Sequence, residues 1–240
     1  MSVLNRIAHF QNRRDEVPNQ ELAKDLTATD DKKGIREIAE NIWSNNPNIQ
    51  SDCLKVLYEI GYLNPALIAA YTEDFLKLLN SKNNRIVWGS MIALSTVSDL
   101  QADAIYNHHE EIQRILEQGS VITIDNGIKT LAIVASKNEA YRKKLLPYLL
   151  NHLATCRPKD VPQHAEKTIV AVNANHKDEF IKVLEKRMTD LTTSQAARVK
   201  RVIKEAEKTL NEKAAQIAHV VNRFARYPSH FDVCSPTHNG

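Results

Sequence analysis

The stretch Ile86-Val87-Trp88-Gly89-Ser90-Met91-Ile92-Ala93-Leu94 decides how the rest of the chain is read. Ile86, Ser90 and Leu94 stand four residues apart and Val97 follows three later, so all four share one face of a helix. The same face recurs at intervals of 37, 37 and 38 residues, with leading positions Ile49, Ile86, Thr123 and Val161. Four residues on, the side chain is small: Cys53, Ser90, Gly127, Ala165. Next come Leu57, Leu94, Leu131 and Ile169, then Ile60, Val97, Val134 and Val172. A small residue inside a buried stripe lets a neighbouring helix approach closely.

A second set repeats on the same period. Ile68, Ile105 and Phe180 align, with Arg142 as the exception; Ile38, Phe75, Ile112 and Leu149 align next, with Arg187 as the exception. Ile42, Leu79, Leu116, Leu153 and Leu191 run through five copies. Short polar links join the copies, such as Ser44-Asn45-Asn46-Pro47 and Cys156-Arg157-Pro158-Lys159-Asp160, where Asn, Asp, Ser and Pro stop one helix and cap the next. Each copy therefore reads as helix, tight turn, helix, link. A lone helical pair cannot bury its apolar face, so copies must stack.

The fold expected is an all-α superhelical solenoid of about five helical pairs, with boundaries at 18–46, 47–83, 84–120, 121–158 and 159–191. Residues 1–17 are expected to add an N-terminal capping helix, and 192–227 a basic C-terminal cap in which Ala197, Val199, Val202 and Ile203 dock inward. Residues 228–240 lose all periodicity and read as a loose, dispensable tail.

The segment Ile86 to Leu94 resembles the first-helix signature of HEAT repeats, in which a hydrophobic residue leads through small residues to Ala-Leu. The resemblance covers about residues 18–191, although the slot that usually holds Arg contains Gln50, Val87, Ile124 and Pro162. It implies an armadillo-type solenoid whose second helices line a concave groove, and it is nearly silent on function. A more distant similarity, in length and architecture, is to the HEAT-fold alkylpurine DNA glycosylases, which cup damaged DNA using Trp with a catalytic Asp. Trp88 has Ile92, not a carboxylate, four residues on. Trp43 and Trp88 therefore read as packing residues.

Only 6 Gly and 8 Pro among 240 residues fit a helical chain, and such scarcity of Gly argues against a nucleotide-binding loop. There is no nucleophile elbow and no Cys-x-x-Cys, so no catalytic residue is assigned and the chain reads as non-enzymatic. Residues 1–14 lack the apolar run of a signal peptide and no span reaches membrane length. Cys53, Cys156 and Cys234 are few and scattered, as expected of a reduced, cytoplasmic protein. His152, Cys156 and His164 make the best metal-like grouping, but without a fourth ligand they read as a helix end beside a partly buried thiol, and neither metal nor other cofactor is assigned. His108 reads as a partly buried structural histidine.

Charge supplies the remaining signal. Residues 1–120 hold 12 Lys/Arg against 17 Asp/Glu, and residues 121–240 hold 20 against 12, a net −5 followed by a net +8. On the second helices, Glu73 and Glu110 (with Asp74 and Glu111) mark the acidic end and Lys144, Tyr148, Lys182 and Lys186 the basic end. Such a groove suits a charged protein segment, an acidic one above all. A total of +3 is small for the alternative, a nucleic-acid partner.

Overall fold

A computed structural model describes residues 2–208. The expected tail, Cys234 and the distal part of the C-terminal cap lie outside the described residues. Within them the secondary structure is helical throughout, and one apolar core runs the length of the stack. The chain forms α1 (Val17–Ala28), α2 (Lys32–Glu40), α3 (Pro47–Leu63), α4 (Thr72–Leu78), α5 (Asn84–Val97), α6 (Ala102–Asn107) and α7 (His109–Glu117). These are followed by α8 (Val121–Lys137), α9 (Glu139–Thr155), α10 (Val161–Thr168), α11 (Lys177–Arg187) and α12 (193–208). It is an α-α solenoid of stacked helical pairs.

The first helices α1, α3, α5 and α8 lie directly on one another along the stack, and the second helices back them from one side. The repeated stripe is the buried face: Cys53, Ser90, Gly127 and Ala165 are all inaccessible to solvent, as are Leu57, Leu94 and Leu131. A methyl group added at Gly127 would collide with Leu116 of α7, which is why nothing larger stands there. The links cap the helices as their residue types require. Asn46, Asn83 and Ser120 accept hydrogen bonds from the first turns of α3, α5 and α8.

Two misaligned arginines turn out to be inter-repeat ties. Arg142 sends Nε to the carbonyl of Ala171 (2.8 Å), and the buried Arg187 donates to the carbonyls of Leu153 (2.6 Å) and Cys156 (2.8 Å) at the end of α9. Each guanidinium satisfies carbonyls that a helix end leaves without partners.

Three expectations need correction. Residues 2–14 do not form a helix. A 3₁₀ turn at Val3–Arg6 leads into successive turns, because the side chain of Asn19 captures the Ala8 N–H (2.9 Å) and Asp52 captures the His9 N–H (2.7 Å). Two second helices are broken rather than continuous. Thr72 Oγ1 donates to the Ala69 carbonyl, and His109 Nδ1 to that of Tyr106, each side chain competing with the helical ladder just where it breaks. In the C-terminal cap, Val199 and Val202 dock inward, but Ala197 is exposed and Ala206 is buried instead.

Candidate binding faces

The second-helix residues singled out by charge are mostly exposed, and the acidic and basic sets meet in one ion pair. Lys144 Nζ sits 3.3 Å from Glu110, so a member of the basic end neutralises a member of the acidic end. Glu73 lies 3.9 Å from His108 Nε2, and the neighbouring Glu111 accepts from Asn80 (2.7 Å) and pairs with His108 (3.1 Å). His108 is partly buried. Tyr148 is half-buried, and burial, with Glu117 adding to it, pushes its phenol up to about 12. Lys182 and Lys186 project from α11, with no ion pair among the described residues.

A deep cleft lies on the opposite face, built by the outward sides of the first helices. It encloses about 580 Å³ between residues 8–16, α3 and α5. Offsets opposite the buried stripe bring Asp52, Lys55 and Tyr58 from α3 beside Arg85 and Trp88 from α5. Trp88 is half-buried with its ring 6.4 Å from that of Tyr58, which in turn meets Tyr62 at 6.2 Å. Lys55 Nζ lies 4.8 Å over Tyr58, and Lys129 of α8 lies 6.0 Å over Tyr62. Aromatic rings and cations thus alternate from α3 to α8.

The cleft's carboxylates are engaged. Asp52 accepts from Asn19 Nδ2 (3.0 Å) and from the His9 backbone, Asp15 holds Arg13 (2.9 Å), and Glu16 pairs with Lys55 (2.7 Å). Burial works to lower the Lys55 pKa, but hydrogen bonds to Glu16 and Glu59 outweigh it and hold the ammonium above its usual range. Arg14 and Arg85, both exposed at the rim, have no ion pair among the described residues. Lys129 has its pKa lowered by burial. Arg14 and Arg85 are therefore the uncommitted charges of this cleft. Trp43, expected to pack, is 48 % exposed beyond the end of α2. His152, Cys156 and His164 converge between α9 and α10.

No protein-family model and no curated protein matches the chain. Solved structures do. An engineered protein is 17 % identical over 86 % of this chain and 97 % of its own, with a TM-score of 0.61. A computationally designed armadillo repeat protein for modular peptide recognition is 14 % identical over 78 % of this chain and 86 % of its own (TM-score 0.59). A karyopherin bound to a SUMO protease is 16 % identical over 83 % of this chain and 22 % of its own (TM-score 0.57). The fold is a HEAT/armadillo-type helical repeat. At such identities the likeness bears on the fold alone. Among the described residues, no helix is long and apolar enough to cross a membrane.

Proposed function

We propose that the chain is a non-enzymatic interaction scaffold that holds an acidic segment of another protein along the exposed face of its first helices. The observation that carries this reading is the cleft where the half-buried Trp88, backed by the buried Tyr58, stands beside Arg14 and Arg85, whose charges have no ion pair among the described residues. Rigid aromatic surface flanked by free guanidinium groups suits a segment that offers both apolar side chains and carboxylates. Two solved neighbours point the same way, one designed for peptide recognition and one bound to a protein. Proton-transfer chemistry gains no support from the cleft, because its carboxylates are occupied in holding the N-terminal turn and Lys55.

The test starts from a pull-down with the full chain, with mass spectrometry to name the partner. The affinity of that partner for the Arg14→Glu/Arg85→Glu double variant should then fall on the order of ten-fold or more, chiefly through slower association, with circular dichroism unchanged. Equal binding by wild type and this variant would remove the cleft from the interface. A loss confined to Lys144→Glu/Lys182→Glu would instead move the interface to the second helices. Filter binding to DNA and RNA at two salt concentrations addresses the nucleic-acid alternative, whose affinity would fall steeply with salt.

A further inference from the structure

His152 and Cys156 are four residues apart, so both point from one face at the end of α9, and α10 brings His164 against them across the link. One ligand atom from each residue lies within 4.8 Å of the others. His152 Nε2 is 2.9 Å from His164 Nδ1, and His164 Nε2 is 2.7 Å from Asp125 Oδ1. Asp125 is itself fixed by Gln163 Nε2 at 2.9 Å.

We propose that His152 Nε2, His164 Nδ1 and Cys156 Sγ form a site for a zinc-type divalent cation, which clips the end of α9 to α10. This reverses the reading drawn from sequence, where the carboxylate partner was not visible. The proton positions follow from the chain of contacts. His164 donates its Nε2–H to Asp125, so its Nδ1 carries a lone pair and the proton shared with His152 belongs to His152 Nε2. A cation takes the place of that proton: His152 changes tautomer through solvent, moving its single proton from Nε2 to Nδ1 so that Nε2 presents a lone pair, and the Cys156 thiol releases its own proton to solvent.

Tetrahedral zinc spaces two nitrogens ~3.4 Å apart, so the imidazoles need to part by only about half an ångström. The sulfur, within 4.8 Å of both nitrogens, has to close to roughly 3.5 Å. The carboxylate-to-imidazole-to-metal arrangement is the usual outer support of such ligands, and Asp125 already occupies that place as a positioning residue. Burial disfavours the charged form of both rings, lowering the pKa of His152 and of His164. Two nitrogens and a thiolate favour zinc over magnesium or calcium, and the fourth coordination place is left to water.

The test is titration of the full chain, stripped with chelator, with Co(II) and then Zn(II). One equivalent of Co(II) should bind with a thiolate-to-cobalt charge-transfer band that Zn(II) abolishes, and Zn(II) should raise the melting temperature. Cys156→Ser should lose the band and the thermal shift while folding normally. Asp125→Asn should keep the band and lose about 10–100-fold in affinity. The absence of saturable Co(II) uptake by the wild-type chain would overturn the proposal. So would a band that survives in Cys156→Ser, because the thiolate would then belong to another cysteine.

Discussion

In the copies at 47–83 and 84–120, the first and second helices are built differently. α3, α5 and α8 run unbroken for 17, 14 and 17 residues, each started by a side-chain cap. Behind α3 and α5, the second helices α4, α6 and α7 span only 7, 6 and 9 residues and lack such caps, whereas α9 behind α8 runs 17 residues from an Asn138 cap. First helices stack directly on first helices, whereas second helices are tied across copies by particular side chains. Tyr141 stacks on Tyr106 at 3.8 Å, Tyr106 on His109 at 4.8 Å, and arginines reach carbonyls of neighbouring copies. Both layers bury a repeated apolar stripe, and the second adds individual side-chain ties between copies.

The largest expected effect lies in the first layer. Leu94 is fully buried in α5 at the middle of the stack, and Leu94→Ala should cost about 2–5 kcal/mol in chemical denaturation. A loss below about 1 kcal/mol would show that α5 can collapse around the cavity and that the first layer is not the rigid one.

The contact between the layers comes next. Gly127→Leu drives a side chain into Leu116 and should cost about 1–3 kcal/mol. Adding Leu116→Ala opens the space, so the double variant should be more stable than the sum of the two single changes implies. Strict additivity would mean that the two residues do not share the contact. This pair joins a first helix to the second helix before it, so the cycle measures how tightly the layers are coupled.

How much of this was legible follows from what burial does to a sequence. The stripe from Ile86 to Val97 and its copies could be read because burial of one helix face imposes a period, and the caps could be read because few residue types serve. The N-terminal turn was missed because Asn19 and Asp52, from α1 and α3, decide its conformation. The cleft was missed for a related reason. Its walls come from residues 8–16, 48–58 and 85–89, and exposed residues carry no period that would mark them as neighbours. The charges on the second helices were visible as a list, but the Lys144–Glu110 pair that joins the two ends was not. The spacing of His152 and Cys156 was visible, whereas Asp125 approaches His164 from 39 residues away.

Helix starts give a smaller and sharper test of the contrast. Asn83 accepts from the Arg85 N–H at 3.0 Å, so Asn83→Ala should cost about 0.5–2 kcal/mol, read by thermal denaturation. The matching change at the start of α7, His108→Ala, removes no cap and should cost less. Similar losses at the two sites would erase the distinction between the capped start of α5 and the uncapped start of α7.

The smallest effect concerns the one ion pair that joins the two charged ends of the second helices. Lys144 and Glu110 are 3.3 Å apart, but their side chains remain 53 % and 70 % exposed, so water screens most of the attraction and holding two long side chains costs entropy. A double-mutant cycle with Glu110→Gln and Lys144→Gln should therefore return a coupling below about 1 kcal/mol, and smaller still in high salt. The stack does not depend on this pair, because α7 and α9 are anchored independently by Ile112, Leu116, Leu145 and Leu149 in the core. A coupling of about 2 kcal/mol or more would mean that the pair is shielded from water and that the second helices are held together electrostatically. The aromatic and arginine ties of the second layer would then need an ionic tie added to them. A coupling near zero would leave both charges available to a partner at almost no cost in stability.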